Sequence, residues 1–238
     1  MVLTEATTEQ DRCHDRDEPP TGRQRVLEAA AWLFHRQGYR ETTLRDIATA
    51  SAMKAGSIYY HFDSKEQLLA AVLETGIERI TADFVEAARA MPVDVAPRER
   101  LRRHVLAHLE ALFIHGPFTT SHVTVFKNAP NAVRALAIPS RDAYEARWAE
   151  LFDRFATEAV LKPGVDLALQ RVLLLSTANA TLDWFDRLGP HTVEDLAAAL
   201  TNQFWLGVSA LEPGAKRHRG SSPQPSSVPT AQGSTTTP

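Results

Sequence analysis

The side chains with the most chemistry to offer cluster between positions 42 and 65. Thr42, Thr43 and Arg45 come first, then Lys54, Ala55, Gly56 and Ser57, then Tyr59, Tyr60, His61 and Lys65. Their shared chemistry is contact with a polyanion: cations and hydroxyl donors for phosphate oxygens, small residues where a backbone must come close. Gly56 and Ser57 let a short helix approach base edges. Tyr59 and Tyr60 are long and stiff, and their hydroxyls suit phosphates on either side of a groove. Lys54 has the reach for a phosphate or a guanine edge. Lys65 belongs to the first turn of a helix, where free N–H groups and the helix dipole already attract phosphate. Thr42, Thr43 and Arg45 begin a helix suited to crossing the backbone. A packing role competes at the aromatic positions: Phe62 reads as core, Tyr59 as core or contact, and His61 as a candidate contact.

A second set lies farther along. His104 and His108 are one helical turn apart, the spacing of two metal ligands, and His115 and His122 follow. No cysteine joins them and no carboxylate is compellingly placed, so they read as ordinary structural histidines and no metal or cofactor is expected. His108, Tyr144, Trp148, Asn179 and Trp184, with Asp183 beside them, are candidates to line a ligand pocket, although an aromatic core accounts for each taken singly. The chain has no P-loop, no G-x-S-x-G, no G-x-G-x-x-G and no H-E-x-x-H, so an enzyme is not the expectation.

The elements that position these groups are helical. Thr21 and Gln24 have capping-box spacing, and Val26, Leu27, Ala30, Leu33 and Phe34 recur at three- and four-residue steps up to Gly38. Thr43 and Asp46 open a short second helix, and a turn around Ser51 to Met53 leads to a third, about AGSIYYH. Asp63 or Ser64 caps a long fourth helix striped with Leu69, Leu73, Ile77, Ile80 and Phe84. Farther on, the pattern predicts a fifth helix from 94–97 to Gly116-Pro117 and a sixth over about 118–127. A short piece follows between Pro130 and Pro139, then a seventh helix from about Ser140 and an eighth over about 165–188. Thr192 caps a ninth. Alternating strands and hairpin signals are absent from the pattern.

Charge and composition are consistent with this. The 238 residues carry a net charge of −3, with 44% apolar and 23% charged residues. Residues 1–19 hold a net −4, whereas 20–66 hold +2, so the positive excess sits with the polyanion-contact set. Cys13 is the single cysteine, which excludes an intramolecular disulfide. Neither a secretory signal nor a spanning apolar run is visible, and a cytoplasmic location without a membrane partner is expected.

One stretch carries a family resemblance. Gly38-Tyr39, Thr42-Thr43, Asp46-Ile47-Ala48, Gly56-Ser57-Ile58-Tyr59-Tyr60-His61-Phe62, Ser64-Lys65-Glu66 and Leu68-Leu69 follow in order over about 50 residues. The stretch resembles the N-terminal domain of the TetR/AcrR transcriptional regulators. It departs from that pattern at Ala52, where glycine is usual in the turn, and at Lys54, where a capping Ser or Thr is usual. Alanine in a left-handed turn costs roughly 1 kcal/mol, and Lys54 cannot accept a capping hydrogen bond. More loosely, Asp183-Trp184-Phe185 and Gly189-Pro190 resemble a branch of repressors that respond to acyl-CoA thioesters.

The expected fold is all-α, with about nine helices. A three-helix helix-turn-helix domain over 21–66 precedes a helical ligand-binding and dimerisation bundle over 67–211, between disordered segments at 1–20 and 212–238. The basic cluster Lys216, Arg217 and Arg219 falls in the second of these. The resemblance implies a homodimeric repressor on a palindromic double-stranded DNA operator. Its last two helices would pair into a four-helix interface, and a small apolar effector such as an acyl-CoA would release it. A DNA-binding architectural factor with no effector is the competing reading.

Overall fold

The computed structural model describes residues 19–158 and 160–210. Most of the acidic arm, Cys13 and the tail over 212–238 lie outside the described residues. Within them the chain forms nine α-helices and two short 3₁₀ turns, and its one isolated antiparallel bridge joins Leu161 to Ser209.

Helix α1 (Gly22–Gln37) begins at Thr21, whose hydroxyl accepts the Gln24 N–H at 3.2 Å, the hydroxyl half of the expected box. Gly38 ends it with φ 86° and ψ 160°, positive in φ as expected but extended rather than left-handed helical. A complete capping box between Thr43 and Asp46 opens α2 (Leu44–Ala50). Ala52 has φ 53°, the one non-glycine with positive φ among the described residues, so the turn is strained where the sequence departs from glycine. Helix α3 (Ala55–Ile58) follows, and Lys54 at its N-cap makes no side-chain capping bond. It is shorter than expected. Beyond Ile58 the chain turns, with the N–H groups of His61 and Phe62 both donating to the Ile58 carbonyl at 2.9 Å. Ser64 then caps α4 (Lys65–Arg89).

Val26, Ala30, Phe34, Ile47, Ile58, Phe62, Leu68 and Val72 close a first core among these four helices. That core continues into the later chain through Phe118, Val125, Ala129, Val133 and Ala137. Helix α6 (Pro117–Thr124), after α5 (Pro97–Ile114), therefore packs directly on α1, and the buried Ser121 hydroxyl donates to the Ala31 carbonyl at 3.4 Å. On α4, Gly76 permits a tight crossing, since a Cβ there would lie 2.5 Å from the Phe118 carbonyl oxygen.

Helices α7 (Asn131–Thr157), α8 (Leu167–Ala180) and α9 (Val193–Val208) complete a second core around Trp148, Phe152, Phe155, Leu174, Leu196 and Trp205. Two boundaries differ from the sequence expectation. The break at Pro139 does not occur: α7 runs through it as one helix. Proline removes one helical hydrogen bond, but Val133 and Ala137 are anchored in the first core and Tyr144 to Phe155 in the second, and this packing carries the helix across. Helix α8 stops at Ala180 instead of 188. The Thr181 hydroxyl donates to the Ala178 carbonyl at 2.6 Å, and a 3₁₀ turn over Thr181–Asp183 leads the chain out. Among the described residues, no helix is long and apolar enough to cross a membrane.

Candidate DNA interface and ligand cavity

The surface around α3 is open. Lys54, Ala55 and Gly56 are exposed and Ser57 is half-buried, with Tyr59 58% and Tyr60 87% exposed. Ile58 between them is buried and anchors this small platform in the first core. Arg45 is exposed on α2, as is Thr43, whose hydroxyl is held by Asp46 at 2.7 Å. His61 is half-buried: its ring packs edge-on against Tyr60 and lies close to Gly22 at the start of α1. Phe62 is core.

Two candidates occupy different positions from those the sequence suggested. Thr42 is fully buried and donates its hydroxyl to the Gly38 carbonyl at 2.8 Å, so it braces the turn and presents no surface. Lys65 folds back: its Nζ donates to the carbonyls of Tyr39 at 2.9 Å and Thr42 at 2.8 Å, over the Tyr39 ring at 4.2 Å. The Tyr39 hydroxyl donates to Glu66 at 2.7 Å, which holds that carboxyl below its ordinary range, and burial raises the tyrosine itself. Tyr39 and Lys65 thus pin the α1–α2 loop to the start of α4.

The second site is a partly open cavity of about 670 Å³ lined by α4, α5, α6, α7 and α8. Ile77 and Ile80 line it from α4, Val123 from α6 and Leu175 from α8, with Phe126 from the 3₁₀ turn Phe126–Asn128. Of the expected pocket residues, His108, Tyr144, Asn179 and Asp183 are in its wall, and His108 bonds both Tyr144 and Asn179. The His108 Nε2 lies 3.1 Å from the Asn179 Oδ1, and its Nδ1 lies 2.8 Å from the Tyr144 hydroxyl. A carboxamide oxygen can only accept, so Nε2 carries the proton and Nδ1 accepts from Tyr144. Burial pushes the imidazole down to about 4 and the phenol up, so both are neutral near pH 7.

Neither expected tryptophan lines the cavity. Trp148 is 1% exposed and stands behind the wall, packed on Phe84, His108 and Tyr144. Trp184 is 63% exposed on the far side of the turn that ends α8. The cavity is also more polar than expected. His122, Arg141, Glu145 and Arg171 line it, and sequence reading did not mark them as pocket residues. Arg141, Tyr144 and Glu145 share one face of α7 at one-turn spacing, which was the available signal. The Arg141 Nη1 donates to the His122 Nε2 at 3.1 Å, and the guanidinium lies over Phe126 at 4.3 Å. Burial depresses His122 to about 3. The histidines at metal-ligand spacing diverge: His104 stacks on Phe84 at 4.1 Å while His108 faces Tyr144 and Asn179. Among the described residues, no group of three or more His, Cys, Asp or Glu could hold a metal ion.

This architecture agrees with known proteins along most of its length. Residues 26–72 match the family model for bacterial regulatory proteins of the tetR family, and residues 94–208 match that for the tetracyclin repressor-like C-terminal domain. The TetR-family regulator PfmR of Thermus thermophilus is 30% identical, covers 76% of this chain and 97% of its own, and superposes with a TM-score of 0.66. The transcriptional repressor KstR2 of Mycolicibacterium smegmatis is 26% identical over 186 residues, 75% of this chain and 86% of that protein. AibR, solved with isovaleryl coenzyme A and operator DNA, shares the fold at 23% identity and a TM-score of 0.68, covering 77% of this chain and 97% of AibR. The open α3 platform, the cavity in the helical bundle and these matches lead to one conclusion: the chain belongs to the TetR family of transcriptional regulators and is not an enzyme.

Proposed function

We propose that the protein is an effector-released repressor that binds a two-fold symmetric operator as a homodimer. Residues 21–66 act as the reading head, with α3 in the major groove, and 67–211 as the effector and dimerisation unit. Lys54, Ala55, Gly56 and Ser57 meet base edges or adjacent phosphates. Arg45, Thr43, Tyr59 and Tyr60 hold the backbone, with His61 at the margin. Lys65 contributes by fixing the α1–α2 loop and leaving positive charge at the start of α4.

The observation that carries the effector reading is the cavity between these helices, whose volume is in the range of small-molecule sites. Its apolar walls and cationic side chains suit a molecule with an apolar body and an anionic end, and an acyl-CoA is the class we favour. The isovaleryl coenzyme A bound to AibR supports that class by likeness of fold. For the dimer, the support is an apolar face on the last two helices: Leu169, Val172 and Leu173 of α8 and Leu206 of α9 are each at least half exposed. Two-fold protein symmetry then calls for a two-fold site.

Release needs an effector that binds the DNA-incompetent arrangement more tightly than the competent one. Helix α4 lines the cavity at Gly76, Ile77 and Ile80 and ends in the reading head. Helix α6 lines it at Thr119 and His122 and packs on α1. A ligand that shifts either helix respaces the two heads. Operator shifts with and without decanoyl-CoA, alongside sedimentation at micromolar protein, test the reading. A species of twice the chain mass that releases operator on adding the thioester is the expected result. A monomer that holds a full palindrome, or operator binding indifferent to every acyl-CoA tried, would overturn it.

A further inference from the structure

Among the described residues, the arginine–glutamate pairs fall into two groups. Outside the cavity they are closed: Arg100 to Glu158 at 2.9 Å, Arg102 to Glu99 at 2.7 Å and Arg103 to Glu99 at 3.0 Å. These are the lengths of charge-assisted hydrogen bonds, and Arg102 and Arg103 together hold Glu99 at about 2. Inside the cavity the pairs are open. Glu145 stands between two guanidiniums, 3.9 Å from the Arg141 Nη2 and 4.0 Å from the Arg171 Nη2, closing on neither.

Both arginines are nevertheless fixed in place. Arg171 donates through Nη1 to the Glu145 main-chain carbonyl at 3.2 Å, and its Nε is buried without a hydrogen-bond partner. Arg141 is held by His122 and Phe126. Both arginines are more buried than the carboxylate between them: the Arg141 and Arg171 side chains are 30% and 21% exposed, Glu145 41%. Two guanidiniums thus flank one point in a cavity wall, and the carboxylate between them is the most exposed of the three. Buried donors left unmet are costly, and an arginine fork matches the two oxygens of a carboxylate or phosphate.

We infer that Arg141 and Arg171 form an anion subsite in which Glu145 is a weak internal occupant, displaced when an organic anion enters through its carboxylate or phosphate. The inference rests on the cavity being an effector site and names the chemistry of one end of the effector. At the other end is the neutral His108–Tyr144–Asn179 relay. Asn179 follows Arg171 by two turns of α8, about 12 Å at 1.5 Å per residue. The effector therefore places its charge near Arg171 and an uncharged polar group, such as a carbonyl, near Asn179.

Two probe sets test this. Inorganic phosphate probes the subsite alone, read as the thermal midpoint of wild type, Glu145→Gln and the double variant Glu145→Gln/Arg171→Gln. Glu145→Gln should gain several degrees from millimolar phosphate and wild type less, whereas the double variant should gain no more than wild type. Decanoate and decanol, titrated by tryptophan fluorescence, probe the charge with the chain held constant. Decanoate should bind wild type at least about tenfold more tightly than decanol, Glu145→Gln should widen that ratio, and Arg141→Gln or Arg171→Gln should close it. Equal binding of decanoate and decanol to wild type and to Glu145→Gln would overturn the anion subsite while leaving the cavity reading intact. If phosphate stabilises Glu145→Gln but neither decanoate nor decanol binds, the subsite stands and the apolar cavity reading falls. If phosphate stabilises all three proteins equally and neither decanoate nor decanol binds, both fall.

Discussion

The reading head and the bundle behind it treat buried polarity differently. In the head the buried polar side chains, Thr42 and Ser51, are closed by short bonds, and further bonds tie the surrounding turns. Thr42 bonds Gly38, Ser51 bonds Ile47, Lys65 bonds Tyr39 and Thr42, and Thr43 and Asp46 cap each other. In the bundle several are left open, although Thr119, Ser121 and Thr181 are bonded. Among the described residues, the buried side-chain atoms without a hydrogen-bond partner belong to Arg100, His104, His122, Trp148, Arg171 and Thr201, all beyond α4. A head that must present the same surface to DNA at every encounter gains from having no alternative bonding pattern. On the proposed function, a bundle that chooses between liganded and unliganded arrangements gains from groups that the unliganded arrangement does not satisfy.

The largest expected effect tests how closed the head is. Phe34 is fully buried at the centre of the first core, and Phe34→Ala should cost about 3–5 kcal/mol. Urea unfolding should register that loss and DNA binding should go with it. A loss below about 1 kcal/mol would mean that the head repacks freely.

Acid should separate the two regions next. Burial holds His104 and His108 at about 4 and His122 at about 3, below the ordinary 6.5. Between those values the unfolded chain binds more protons than the folded one. Stability is therefore full above pH 6.5 and falls as pH drops toward 4, by about 1.4 kcal/mol per pH unit for each histidine that charges on unfolding. In the head, Glu66 is held below its ordinary 4.5 by Tyr39, so that contribution is lost only at lower pH. Hydrogen exchange resolved by segment at pH 5.5 should find α5 and α7 less protected, relative to pH 7.5, than α1 and α4. The reverse order would break the comparison.

A matched pair of substitutions sharpens it further. Thr42 and Thr201 are both buried, at 0% and 1% exposure, but the first hydroxyl is bonded and the second is not. Thr42→Val should cost about 1–2 kcal/mol, while Thr201→Val should be neutral or stabilising by up to about 1 kcal/mol. Equal losses in denaturant midpoints would remove the distinction. Least of all, Tyr60→Ala, at a side chain 87% exposed, should change stability by less than about 0.5 kcal/mol while weakening operator binding.

What could be read in the sequence follows the same division. Helix starts at Thr21, Thr43, Ser64 and Thr192 were legible because a cap is a bond between residues three apart. Ala52 was legible as a strained turn for the same local reason. The inward turn of Lys65 was not, because it reaches the Tyr39 and Thr42 carbonyls, which only the folded head brings near. The course of α7 through Pro139 depends on two cores holding the helix from either side. The cavity was least legible. It draws on five helices, and Arg141, Glu145 and Arg171 look like solvated charges until α7 and α8 are packed together.

Under the proposed function, two copies of the α3 platform read one symmetric site. Selection of bound sequences from a random double-stranded DNA pool by the full chain, followed by sequencing, measures this. The expected product is an inverted repeat whose half-sites lie about one helical turn or a small multiple of it apart, and a thioester such as decanoyl-CoA should abolish its recovery. A single asymmetric half-site, or a pool with no enriched sequence, would contradict the account.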